Sequence, residues 1–206
     1  MQFEKGHLYH IYNQGNNRQK IFFERENYLF FLKKIRTHIL PYADILAWCL
    51  MPNHFHLMVA VNEVEVKDFS VSVSGSAILN RTPTTYKTRS LNHSIGIMLA
   101  SYTRAIQKQE NISGSLFKSK TKAECIDCLN ELTPSFINED GITQIHIYNP
   151  KNQYPQRCFN YIHNNPVKAK MVSIASDYEF SSAVDYFGGR DGKLINKTIA
   201  EKFIDF

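Results

Sequence analysis

The chain has 206 residues, 43% hydrophobic and 21% charged, which fits one globular domain with its own core and excludes a disordered or fibrous class. No apolar run reaches the roughly 18 residues of a membrane span, so no membrane partner and a cytoplasmic address are expected. A net charge of +5 and a pI near 8.9 favour a polyanionic partner, and four cysteines (Cys49, Cys125, Cys128, Cys158) are expected as reduced thiols instead of a disulfide framework.

His7 to Asn13 (HLYHIYN) alternates as a strand, and Gln14-Gly15-Asn16-Asn17 supplies the turn that ends it. From Glu24 to His38, Tyr28, Leu29, Phe31, Leu32 and Ile35 recur at helical spacing, continued by Ile39. Ile45 to Leu50 is a short apolar run suited to a buried strand; Met51-Pro52-Asn53 interrupts it and His54 to Val61 resumes, making a hairpin.

Val64 to His93 is rich in Ser, Thr and Asn without a sustained period, so a flexible insertion is expected over 64–93. Ser94 to Gln109 returns to helical spacing, and Lys118 to Cys125 reads as a strand. Leu132 to Asn149 reads as a linker, followed by a helix over Gln153 to Asn164 that Pro166 is expected to stop at or before Asn165.

The order strand, helix, strand, strand, helix, strand predicts an α+β fold of ferredoxin-like βαββαβ type. This is an antiparallel sheet with helices on one face, plus an extra helix carrying Tyr161. One domain is expected over 1–187, with a C-terminal extension at 188–206.

Alternate residues of a strand share a face, so His54 and His56 project to the same side. Their Cα atoms stand roughly 6.5 to 7 Å apart, close enough for both imidazoles to reach one divalent ion. Two histidines hydrogen-bonding their neighbours at a strand end is the alternative. Tyr161 and Asn165, four apart on a helix, also share a face. A tyrosine hydroxyl is a poor nucleophile at neutral pH unless a metal polarises the phosphate it attacks, and Asn165 can offer a carbonyl oxygen to that metal. A packed core tyrosine and a helix-capping asparagine remain the other reading.

YHIYNQG at Tyr9 to Gly15, MPNHFHLMV at Met51 to Val59 and YIHNNPVKAKMV at Tyr161 to Val172 resemble three blocks of the single-tyrosine HUH transposases, nearest the REP-associated tyrosine transposases. MLASYTRAIQK, GSLF at Gly114 to Phe117, and Tyr178 to Ser182 are smaller echoes.

The resemblance implies that His54, His56 and Asn165 hold a divalent metal, Mg²⁺ or Mn²⁺, and that Tyr161 is the nucleophile. It further implies a transposase-like single-strand DNA endonuclease and strand transferase, cleaving and rejoining hairpin or palindromic DNA through a 5′-phosphotyrosine. Related enzymes leave a homodimer open.

Gln14 stands where the family often has arginine, which shifts an expected phosphate contact to Arg18 or Lys20, and Phe180 stands where tryptophan is common. Arg104, Lys108, Lys118, Lys120 and Lys122 are further candidates for the DNA backbone, with Tyr86, Tyr102 and Phe117 as stacking partners. Cys125-Ile126-Asp127-Cys128 is a lone CxxC, read as free thiols in preference to zinc, while His10 and His163 are read as structural. A catalytically silent structure-specific DNA-binding protein of the same fold, or a metal hydrolase using a water nucleophile, are the competing readings.

Overall fold

The computed structural model describes residues 2–67, 88–128 and 150–206, with backbone alone for 150–153 and for two paired two-residue strands, β7 (Asn138–Glu139) and β8 (Ile142–Thr143). Its centre is an antiparallel sheet of β1 (Leu8–Gln14), β2 (Ala43–Met51), β3 (His54–Val61) and β6 (Lys122–Cys125), ordered β2-β3-β1-β6. The fold class is therefore mixed α+β.

Alternation along these strands gives the sheet two apolar faces. Ile11, Leu50, Phe55, Leu57 and Val59 look toward α1 (Arg25–His38) and α2 (Leu91–Glu110), where Phe31, Ile35, Ile95 and Tyr102 complete the larger core. Leu8, Cys49, Met51 and Met58 look the other way, toward Cys158, Phe159 and Ile162 of α3 (Pro150–Lys168). The helix bearing Tyr161 thus covers the face that α1 and α2 leave open.

Local chemistry sets the helix ends. Glu24 and Asn27 form a reciprocal capping box at the start of α1, and Ser90 Oγ accepts the His93 N–H at the start of α2. α3 does not stop before Pro166 as expected but runs through it to Lys168. The proline removes one helical N–H, while Ala169 N–H still bonds the Asn165 carbonyl at 2.9 Å and Met171 N–H the Pro166 carbonyl.

Other expectations shift as well. The ends of the 64–93 insertion are ordered: β4 (Glu65–Lys67) pairs with β5 (Thr88–Ser90), and α2 begins at Leu91, so only 68–87 lies outside the described residues. The strand expected from Lys118 begins only at Lys122, because Asn13 Nδ2 ties the Lys118 carbonyl and Thr121 hydroxyl off the ladder. Of the expected linker at 132–149, only β7 and β8 are described. Cys125 and Cys128 are joined as a disulfide, correcting the expectation of four free thiols; the turn that closes β6 brings their Cα atoms to 5.6 Å. Cys49 and Cys158 remain free and buried.

The outer edge of β2 is covered by the chain that follows α3, which protects an otherwise open strand edge. Leu50 N–H bonds the Phe180 carbonyl, Ser182 N–H the Trp48 carbonyl and Asn196 N–H the Ile45 carbonyl. Beyond α4 (Ala183–Phe187), Leu194 enters the first core; Ala200 of α5 (Lys197–Ala200) and Ile204 enter the second. Among the described residues no helix is long and apolar enough to cross a membrane.

Candidate active site

The pairing of β3 with β1 places His54 opposite Gln14 and His56 opposite Tyr12, at the end of β1 where the chain turns. Gly15 makes that turn close: its N–H bonds the Asn53 carbonyl at 2.7 Å, and a Cβ there would lie 2.1 Å from the Gln19 carbonyl oxygen. Any other residue would force Gln19 away from Gly15 and so distort the turn whose Ile21 and Phe22 N–H groups hold the Pro52 carbonyl beside His54.

Tyr161 and Asn165, one turn apart on α3, meet these histidines. The Tyr161 ring stands edge-on to His56 with centroids 5.4 Å apart and edge-on to His10 at 6.0 Å. Asn165 Nδ2 donates to the Tyr161 carbonyl at 2.9 Å, which turns its Oδ1 toward His54 Nε2, 3.4 Å away. On the other side of the ring, His54 Nδ1 lies 2.6 Å from Asn53 Oδ1. With Nδ1 donating to that amide oxygen, Nε2 presents a lone pair to the Asn165 carbonyl oxygen: two acceptors facing one another, which a cation between them satisfies.

His56 adds a third donor. Its Nδ1 is 2.9 Å from His10 Nε2, while its own Nε2 is buried and has no hydrogen-bond partner among the described residues. Burial holds both imidazoles below the usual histidine pKa, and the neighbouring His10 and His54 push His56 down further. They therefore stay neutral near pH 7, the state that binds metal. The residues present fit a divalent ion with two nitrogens and one amide oxygen.

Burial, with smaller contributions from the charges of Cys158 and Glu124, raises the Tyr161 pKa, and a hydrogen bond with Asn165 acts in the opposite direction. The hydroxyl stays protonated at neutral pH until a positive charge is near. Tyr161, His54 and His56 line one cleft of about 280 Å³ with Tyr12, Asn13, Gln14, Lys118, Lys120 and Lys122. Lys168 adds a cation 5.8 Å from the Tyr161 ring centroid.

The remaining candidates fall elsewhere. Arg18 and Lys20 are exposed in the turn after β1, and Arg104 and Lys108 are exposed on α2, across the sheet from the cleft. Tyr102 and Phe117 are core residues, Tyr102 donating to the Ile21 carbonyl, so neither offers a face for stacking; Tyr86 lies outside the described residues. Phe180 stacks on Tyr28 at 3.8 Å. His163 is structural, paired with Ser182 Oγ at 2.7 Å.

Sequence reasoning missed Glu124, whose Oε1 accepts the Tyr12 hydroxyl at 2.5 Å and whose Oε2 is buried without a partner among the described residues. It also gave His10 no part in the site, although that ring holds His56. The signal lay in strand pairing, since Glu124 stands opposite His10 and Lys122 opposite Tyr12.

A solved structure described as the REP-associated tyrosine transposase bound to a REP hairpin aligns with this chain at TM-score 0.48 and 16% identity, covering 92% of this chain and 84% of that one. That is the group whose motifs the sequence resembles. No family model matches the chain, and no curated protein matches it. At this level of likeness the functional reading rests on the site's own residues.

Proposed function

We propose that the chain is a metal-dependent single-strand DNA endonuclease and strand transferase of the tyrosine HUH type, acting on hairpin or palindromic elements. The observation that carries this reading is that His54 Nε2 faces Asn165 Oδ1 at 3.4 Å while the His56 ring stands 5.0 Å from the His54 ring and 5.4 Å from that of Tyr161, its buried Nε2 without a partner among the described residues, in a cleft edged by three lysines. The order β2-β3-β1-β6 supports a ferredoxin-like frame for that site, with 1–187 as the catalytic domain and 188–206 as an extension of it.

His54, His56 and Asn165 would hold the ion. Magnesium or manganese would supply Lewis-acid polarisation of the scissile phosphate there. His10 and Asn53 orient the two imidazoles through their second nitrogens. Lys118, Lys120 and Lys122 attract and align the phosphate backbone. The Tyr161 oxygen attacks phosphorus and releases its proton to solvent as the bond to the 3′ oxygen breaks. The leaving 3′ oxygen takes up a proton, and the 5′ phosphate stays on Tyr161. Because the phosphodiester energy is kept in the phosphotyrosine, a 3′-hydroxyl can reverse the step on another end without a nucleotide cofactor.

The test is incubation with Mg²⁺ or Mn²⁺ and labelled single-stranded hairpin oligonucleotides, read on a denaturing gel. A covalent protein–DNA band that disappears in Tyr161→Phe is expected. Cleavage surviving that substitution would favour a water nucleophile, and binding without cleavage would favour a silent DNA-binding protein.

A further inference from the structure

At the far end of β1 from the cleft, a second group of donors converges. Cys125 Sγ lies 3.2 Å from Asp127 Oδ1, His7 Nδ1 lies 3.3 Å from the same oxygen, and Cys128 Sγ lies 3.6 Å from His7 Nδ1. One ligand atom from each of the four residues falls within 4.8 Å of the other three. The turn that carries them is fixed to β1 by Leu8 N–H donating to Asp127 Oδ1 and by Ile126 N–H donating to the Leu8 carbonyl.

A tetrahedral zinc ion with bonds of about 2.0 to 2.3 Å sets its ligand atoms roughly 3.3 to 3.8 Å apart. The three separations from 3.2 to 3.6 Å match those edges. The fourth feature differs, because the two sulfurs are bonded to each other.

We infer that His7, Cys125, Asp127 and Cys128 form a thiol-gated site for zinc or a similar borderline-soft divalent ion, closed while Cys125 and Cys128 are oxidised and open once they are reduced. A thiol or phosphine reductant supplies two electrons. The S–S bond breaks and each sulfur takes a proton; two thiol molecules supply those protons and become a disulfide, or water supplies the protons and the oxygen as the phosphine becomes its oxide. Metal binding then displaces those protons as the sulfurs become thiolates, with the His7 nitrogen and an Asp127 oxygen completing four ligands. The site fastens β6, and with it Lys122 and Glu124, to the start of β1. It stands about 10 to 17 Å along the strand from His56, since Cys125 pairs with Tyr9 and His56 with Tyr12, and does not depend on the activity proposed there.

Cobalt(II) distinguishes this site from the histidine cleft, because thiolate ligation gives an intense near-ultraviolet charge-transfer band that nitrogen and oxygen ligands do not. The full chain, reduced with a phosphine, is titrated with Co²⁺ alone. One equivalent is expected to develop the band with tetrahedral visible absorption, in the unsubstituted protein and in His54→Ala/His56→Ala alike. Zinc is expected to abolish the band, and His7→Ala to weaken cobalt binding about tenfold or more. The protein left oxidised serves as the control that needs no substitution, and it is expected to show no band. Absence of the band after reduction, or its persistence in Cys125→Ser/Cys128→Ser, would overturn the inference.

Discussion

Asn165 Oδ1 lies 3.4 Å from His54 Nε2, although 111 residues separate them in the chain. The contact joins a β-hairpin to a helix that follows it only after five further strands and α2, and with His54 Nδ1 donating to Asn53 Oδ1 it places two lone-pair atoms face to face. Asn165→Ala is expected to weaken Mn²⁺ binding about 10- to 100-fold while leaving the fold intact, since Ala at this half-buried position keeps the helix. Isothermal titration with Mn²⁺, alongside circular dichroism, checks both halves.

His56 depends on His10 for its orientation, through the 2.9 Å contact between their rings. His10→Phe keeps the aromatic volume but removes the acceptor for His56 Nδ1–H. Metal affinity is expected to fall by a similar factor, about 10- to 100-fold, although His10 is not itself a ligand. Unchanged Mn²⁺ affinity in this variant would remove His10 from the account.

Glu124 sits beside the tyrosines as a negative charge that raises the Tyr161 pKa, secondary to burial. A carboxylate disfavours the phenolate, so Glu124→Gln lowers the Tyr161 pKa and increases the phenolate fraction at any given pH. The pH at half-maximal adduct formation is expected to move downward. An upward shift in a pH series of single-turnover reactions would contradict this placement of the charge.

Lys118, Lys120 and Lys122 edge the cleft, whereas Arg104 and Lys108 do not. Replacing all three lysines by alanine is expected to reduce the slope of log K against log salt for single-stranded DNA by about 2, since each phosphate that a lysine neutralises adds about 0.7 to that slope. The Arg104→Ala/Lys108→Ala pair is expected to leave the slope unchanged. Fluorescence anisotropy across a salt series measures both.

Stability depends on a different pair. Asp185, almost wholly buried, takes two hydrogen bonds from Arg190, whose guanidinium also donates to the Glu179 and Ser181 carbonyls that flank the covered edge of β2. Asp185→Ala is expected to destabilise the fold by about 3 kcal/mol, the low end for a broken buried pair because Arg190 keeps 34% of its side chain exposed. Urea unfolding monitored by Trp48 fluorescence measures it.

Much of the sheet and of the site was legible in the sequence because both obey short-range rules. His54 and His56 share a face by the two-residue period of a strand, and Tyr161 and Asn165 share one by the helical turn. What periodicity could not supply was which strand lies beside which. Glu124 and Lys122 enter the site only because β6 pairs with β1, and His10 takes its part only because β1 pairs with β3. The passage of α3 through Pro166 and the covering of the β2 edge by residues near 180 and 195 likewise depend on tertiary packing, which overrides local propensity.

The central claim is that Tyr161 is the residue that attacks DNA, and the most direct measurement is mass spectrometry of the protein after reaction with hairpin DNA, nuclease trimming and proteolysis. The account predicts a 5′-phosphonucleotide on Tyr161. A phosphonucleotide on Tyr12 or Tyr154, or cleaved DNA ending in a free 5′ phosphate with no modified tyrosine, would contradict it.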